Sequence, residues 1–170
     1  NLVARPIHMA LALPWIFIYG AKGRAFWVGI AFVTAGALGC LYIVLNEAAL
    51  SDQYGSLEGA GQLIVATILL LVVLEMARRA IGWPLPLVAV MALVYGLYGE
   101  LLPGEFGHPG LPVSSFIGTM TIAEGGLWGS LTGVSVSIVA VFVIMGAVLN
   151  AGEAGQGFMN LAAAAAGRLK

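Results

Sequence analysis

The chain has 170 residues, of which 61 % are hydrophobic and only 9 % are charged, and its formal net charge is −1. A soluble domain carries roughly 25 % charged residues, so this sequence lacks the polar surface of a water-soluble protein. Its charge balance also provides no basic face of the kind that binds nucleic acid.

This composition predicts an all-α, polytopic integral membrane protein surrounded by lipid. A membrane-spanning helix needs about 20 apolar residues. We predict about five spans, at 7–20 (with an alternative start at residue 2), 25–45, 60–77, 85–102 and 131–149. The first stretch is interpreted as a retained span, because the basic sequence that follows it lacks the small-residue cleavage site of a signal peptide.

Residues 111–130 do not resemble a clean span. They begin with Leu111 and Pro112, carry several Ser and Thr residues, and end in a run of glycines. Irregular backbone is tolerated at membrane depth only where protein or water covers it. We therefore predict an interfacial or re-entrant segment here.

The basic residues sort to one side of these spans. Basic residues near span ends stay cytoplasmic, and six of the seven share one side: Lys22, Arg24, Arg78, Arg79, Arg168 and Lys170. We predict an outside N-terminus and a cytoplasmic C-terminus, with Lys22, Arg24, Arg78 and Arg79 as topology anchors. A chain that enters the membrane from outside usually has an earlier span, so we expect a piece of a longer protein.

Two patterns concern helix contacts. Glu75 lies three and four residues before Arg78 and Arg79, the spacing of helix ion pairs. We interpret it as an interfacial pair, with a proton-coupling carboxylate as the alternative, since intramembrane acids often mark ion paths. Small residues recur every four positions at Ala31, Ala35 and Gly39. They predict close helix packing, with a ligand-facing surface as the alternative.

The candidate substrate- or ion-binding residues are hydroxyls at the start of the fifth span: Thr132, Ser135 and Ser137. The two serines are two positions apart and therefore face different sides of a helix. Such hydroxyls either bond to neighbouring helices or line a site.

No motif in the sequence predicts catalysis, a metal centre or a cofactor. Cys40 is the only cysteine and lies in an apolar run, so we expect a packed small residue. There is no Cys/His cluster of metal-ligand spacing, no Ser/His pair and no phosphate-binding glycine loop, which makes direct ATP drive by this chain unsupported. His108 lies in the Pro/Gly-rich loop 103–110, and we expect it to be solvated.

Three stretches carry a family resemblance in combination. They are EMARRAIGWPLPLVAVMALVYGLYGELLPG at 75–104, the stretch 124–170 with its Gly-Val-Ser span and Gly-Arg-Leu-Lys end, and Arg-Pro-Ile-His at 5–8. Together they resemble the fused membrane subunit of tripartite ATP-independent periplasmic (TRAP) transporters, in the branch that uses TAXI-type binding proteins.

The resemblance implies a division of the chain. Residues 1–80 resemble the scaffold helices of the small four-span subunit without its first span, and 81–170 resemble the start of the large DctM-like permease. It also implies sodium-coupled import of small organic acids across the bacterial or archaeal cytoplasmic (inner) membrane. The implied partners are a periplasmic substrate-binding protein and the rest of the permease chain, and most sodium and substrate sites are expected beyond Lys170.

Two other functions compete with this interpretation. A stand-alone membrane scaffold or assembly subunit would have no transport path of its own. An integral-membrane enzyme would need paired ionisable groups within a span, which these spans lack.

Overall fold

The computed structural model describes residues 2–152 and 154–167, and this part of the chain is helical without strands. The all-α prediction is therefore confirmed. The helices are α1 (Ala4–Phe17), α2 (Arg24–Leu45), α3 (Glu47–Asp52), α4 (Gly59–Ile81), α5 (Pro84–Tyr98), α6 (Val113–Thr121), α7 (Ser130–Val134), α8 (Ala140–Ala151) and α9 (Ala154–Gly167). A π-helical turn, Ser135–Val139, lies between α7 and α8.

Four helical stretches of the described chain are long and apolar enough to cross a membrane: Arg24–Leu45, Gly59–Ile81, Pro84–Leu101 and Val113–Ala151. The first predicted span is instead the 14-residue helix α1. At about 1.5 Å per residue, α1 falls short of a hydrocarbon core of about 30 Å. It ends at Phe17 because the turn that follows contains Gly20 at φ 75°.

The chain divides into two compact units, with the boundary after Thr132. In the first unit, α1, α2 and α4 pack together around buried side chains that include Leu13, Ile43 and Leu69. Among the described residues, this unit contains the buried core and all four predicted topology anchors. The predicted division after residue 80 stays a prediction.

Glycines allow close contacts between the helices of the first unit. A Cβ at Gly36 would lie 2.6 Å from Leu13 and 3.0 Å from Val72, and one at Gly39 would lie 2.8 Å from Leu69. Gly39 of the predicted small-residue ladder thus packs closely, as expected. Ala31 and Ala35 do not, because they line an open groove between α2 and α4.

The predicted interfacial or re-entrant segment consists of α6 followed by a tight 3₁₀ turn. Helix α6 packs against α4, and Gly118 lies so close to the carbonyl of Gly55 that no larger residue fits. Gly126 adopts φ 49°, in the left-handed region that glycine favours. It lets the chain reverse beside the backbone of Met120 and bury Trp128 completely.

The second unit contains the π-turn, α8 and α9. Its helices are apolar, and the large side chains of α8, such as Phe142 and Ile144, are 62 % and 63 % exposed. Apolar side chains at that exposure are unfavourable in water and favourable against lipid or protein. The unit is therefore suited to a membrane environment.

Candidate functional site

The first candidate residue, Thr132, lies at the end of a hydrogen-bonded turn. Its Oγ1 donates to the carbonyl oxygen of Leu127. The residue after Leu127 is Trp128. Its indole is fully buried, and its Nε1 donates to the Thr121 carbonyl at 2.7 Å. The Thr132 hydroxyl therefore belongs to a rigid turn whose backbone is fixed from both sides.

A side chain near the N-terminus bonds to the backbone of this turn. Nη1 of Arg5, at the start of α1, donates to the carbonyl oxygen of Trp128, across 123 positions of sequence. A second contact joins the same segment to the loop before α4, where Gly55 meets the backbone of Thr119. The N-terminal end of α1, the loop and the 111–130 segment thus share one end of the first unit.

The second and third candidate residues lie on the π-turn. Ser135 opens it and is half-buried, and its carbonyl accepts from the N–H of Ala140, five positions on. Ser137 is exposed, and its Oγ donates to the Gly133 carbonyl at 2.8 Å. Single π-turns inside α-helices often mark functional sites. The structure thus adds a backbone irregularity at the position that the hydroxyl pattern indicated.

The hydrogen bonds define what these hydroxyls can do chemically. A Ser or Thr hydroxyl has one proton to donate and two lone pairs that accept. Because Thr132 and Ser137 each donate their proton to a backbone carbonyl, their oxygens are left with lone pairs. Oxygen lone pairs are suited to a hard cation. In the described part of the chain, no three His, Cys, Asp or Glu side chains group as metal ligands.

The four predicted topology anchors lie at the opposite end of the first unit from the Trp128 turn. Lys22 and Arg24 flank the turn between α1 and α2, where Gly23 adopts φ 59°. Arg78 and Arg79 lie in the last turns of α4, and Arg79 Nη1 donates to the carbonyl of Phe17 at 3.2 Å. The end of α4 and the end of α1 are therefore in direct contact, which brings the basic residues to a common end.

Glu75 holds both arginines of α4, so the predicted ion pair is confirmed. Its carboxylate accepts from Nε of Arg78 at 2.7 Å and from Nε of Arg79 at 2.8 Å. The two guanidinium groups also lie over aromatic rings, Arg78 over Trp83 at 5.2 Å and Arg79 over Phe17 at 4.7 Å. Because both arginines pair with this carboxylate, the contacts favour the ion-pair interpretation over the proton-coupling alternative.

The loop that follows α5 contains His108, which we expected to be solvated. His108 is half-buried and its Nε2 lies 3.1 Å from the Tyr95 carbonyl, with the two rings edge to face at 4.8 Å. The Tyr95 hydroxyl donates to the Phe106 carbonyl at 2.9 Å. The expectation of a merely solvated histidine is wrong, because the ring holds the loop against the end of α5.

Three features of the structure were not predicted from the sequence: the bond from Arg5 to Trp128, the contact of His108 and the π-turn. The first joins residues too far apart for any local pattern to reveal. The π-turn falls in SVSIV, which has no Gly or Pro to mark a break. The hydroxyls of Thr132, Ser135 and Ser137 were the only sequence feature that drew attention to this segment.

Four apolar helical stretches long enough to cross a membrane, with basic residues gathered at one end of the first unit, define a multi-pass membrane protein. A family model, "Tripartite ATP-independent periplasmic transporter, DctM component", matches residues 68–170. The chain belongs to this family of multi-pass membrane permeases, which work with a periplasmic binding protein. No curated protein and no solved structure matches the chain. The match begins inside α4, and the TAXI-type fusion remains a prediction.

Proposed function

We propose that this chain is a membrane part of a sodium-coupled secondary transporter that imports small organic acids. The single observation that carries the proposal is the match of residues 68–170 to the permease component of TRAP transporters. That match favours a permease over the alternative of a stand-alone scaffold subunit, because it covers the component that forms the transport path.

The hydroxyl segment supports sodium as the coupling ion. Thr132 and Ser137 direct their protons to carbonyl oxygens and keep lone pairs for a cation. Ser135 opens a π-turn, which alters the spacing of the backbone carbonyls around it. Hydroxyl and carbonyl oxygens are the donors that hard cations prefer. We propose Thr132, Ser135 and Ser137 as the residues of this chain that contribute to ion or substrate binding.

The charge of the end opposite the topology anchors supports delivery by a binding protein. Asp52, the last residue of α3, and Glu58, in the loop before α4, are exposed, and Glu100 and Glu105 follow α5. Like charge repels a free organic anion from this surface. A periplasmic binding protein that carries the substrate in a closed cleft avoids this repulsion.

The arrangement of the first unit supports a fixed role for the N-terminal part. Gly36 and Gly39 bring α2 into close contact with α1 and α4, and Arg5 bonds to the Trp128 turn. Residues 1–80 are proposed as a scaffold for the permease part that begins near residue 81. The protein is proposed to lie in the cytoplasmic membrane with its N-terminus outside and its C-terminus inside.

The test uses the full-length protein in proteoliposomes with its binding protein and a labelled organic acid. Ser135→Ala and Ser137→Ala should weaken the dependence of uptake on sodium concentration. Glu75→Gln should keep uptake and its sodium dependence, since this carboxylate pairs with Arg78 and Arg79. Unchanged sodium dependence in both serine variants would reject the assignment of these residues. Loss of uptake in Glu75→Gln, with normal folding, would favour the proton-coupling alternative.

A further inference from the structure

We propose that the groove between α2 and α4 binds one anionic phospholipid of the cytoplasmic leaflet, with an acyl chain in the groove and the headgroup at Arg24 and Arg79. The groove has a volume of about 250 Å³ and is lined only by apolar side chains: Ala31, Phe32, Ala35, Ile68, Leu71 and Val72. Such a lining rejects a polar substrate and accepts a hydrocarbon chain. The inference rests on the proposed orientation, which places these basic residues at the cytoplasmic leaflet, and does not depend on the transported substrate.

Two aromatic rings, those of Phe32 and Phe17, lie in contact between the groove and the guanidinium of Arg79. Phe32, which lines the groove, stacks on Phe17 with ring centres 5.2 Å apart and planes within 2° of parallel. The guanidinium of Arg79 lies 4.7 Å from the centre of the Phe17 ring. The groove residue Phe32 is therefore linked to Arg79, at the basic end of the unit, through the buried ring of Phe17.

Helix periodicity places a second cation, Arg24, on the face of α2 that lines the groove. On α2, Arg24 lies seven and eleven positions before the groove residues Ala31 and Ala35, on one stripe of the helix. Arg24 is exposed. Each of the two helices that form the groove thus carries an arginine toward the basic end, exposed on α2 and partly buried on α4.

The charge at this end is not balanced by the protein. Within the first unit, the single carboxylate of Glu75 is shared by Arg78 and Arg79, while Lys22 and Arg24 add two further positive charges. Basic residues at the cytoplasmic surface attract anionic lipids, by about 1 kcal/mol each. Basic pockets between transmembrane helices on that side are known to hold anionic headgroups. Charge complementarity therefore selects an anionic phospholipid as the occupant.

The chain offers a matched control groove on the other side of α2. It lies between α1 and α2, has a volume of about 370 Å³, and is also apolar, with Ala37 and Leu41 among its lining residues. The basic residue nearest to it along α1 is Arg5, whose side chain bonds to the Trp128 carbonyl. This control groove should accept hydrocarbon without selecting a headgroup.

The experiment measures retention of dioleoyl phosphatidylglycerol and of dioleoyl phosphatidylcholine by the full-length, detergent-purified protein, using native mass spectrometry. We expect the wild type to retain one phosphatidylglycerol in preference to phosphatidylcholine. Ala35→Leu fills the groove and should lower phosphatidylglycerol affinity about tenfold, the loss expected if about two methylenes are excluded. Ala37→Leu should leave it unchanged. Arg24→Gln should lower it about fivefold, the factor for one basic residue, without affecting phosphatidylcholine.

Three results would overturn the proposal. They are equal retention of the two lipids by the wild type, equal effects of Ala35→Leu and Ala37→Leu, and full phosphatidylglycerol affinity in Arg24→Gln. Melting temperatures show whether each variant is folded, and Ala31→Leu replaces Ala35→Leu if that protein is not recovered. A fourth result would also overturn it: if Ala35→Cys forms a cross-link to another helix of the full-length protein, protein rather than lipid covers the groove.

Discussion

Arg79 and Phe17 are joined twice: Nη1 of the arginine donates to the phenylalanine carbonyl at 3.2 Å, and the guanidinium lies 4.7 Å from the centre of the same residue's ring. The contact fixes the end of α4 to the end of α1. It also places the aromatic ring between a cation and the stacked ring of Phe32. This one residue pair therefore joins the ends of two helices through both a hydrogen bond and a cation–ring contact.

Phe17→Ala should lower the stability of the protein in detergent by roughly 3 kcal/mol, because the ring is fully buried and its removal leaves a cavity. Trp15→Ala is the control, since Trp15 is 70 % exposed on the same helix. Thermal unfolding of both variants measures the difference. Equal stability of the two variants would show that the Phe17 contact contributes nothing.

The helix crossings give a second pair of variants. Gly36→Leu should destabilise the first unit by about 1–3 kcal/mol, because even a Cβ at this position approaches Leu13 to 2.6 Å. Ala35→Leu should leave the melting temperature almost unchanged, because Ala35 lines an open groove. The reverse order of stability would mean that α2 packs through its other face.

The Trp128 turn is tested by Trp128→Phe, which keeps most of the ring and removes the indole N–H. The Thr121 carbonyl then loses its partner in a buried position, at a cost of about 1–3 kcal/mol. Trp27→Phe is the control, because Trp27 is 71 % exposed. We expect lower thermal stability in the first variant alone. A stable Trp128→Phe protein would indicate that the hydrogen bond is not needed to hold the 111–130 segment.

The orientation in the membrane is tested by fusions at Gly23, just before α2, and at Ser56, in the loop between α3 and α4. We expect fluorescence from green fluorescent protein at Gly23 and activity from alkaline phosphatase at Ser56, because basic turns stay cytoplasmic. Strong phosphatase activity at Gly23 with none at Ser56 would reverse the topology.

The local sequence pattern was sufficient to predict most of the helices. The prediction for the second span, 25–45, differs from α2 by one residue, because its apolar run has no internal break. The spacing of Glu75, Arg78 and Arg79 predicted their ion pairs, since helix geometry alone brings positions i, i+3 and i+4 together. Helices in a membrane satisfy their backbone internally, so length and apolarity decide where they form.

Contacts between distant segments could not be predicted in this way. Small-residue spacing suggested Ala31, Ala35 and Gly39 as one packing face, yet the crossings use Gly36 and Gly39. Which face of an apolar helix meets a neighbour depends on that neighbour, and apolarity on all sides leaves no periodic signal. The bond from Arg5 to Trp128 and the π-turn at Ser135–Val139 likewise depend on tertiary structure.

The most direct test of the proposed function is uptake of a labelled organic acid by the full-length protein in proteoliposomes, with its binding protein outside. We expect accumulation when sodium outside exceeds sodium inside, and none when sodium is equal on both sides or the binding protein is omitted. Accumulation that persists without a sodium gradient, or without any binding protein, would contradict it.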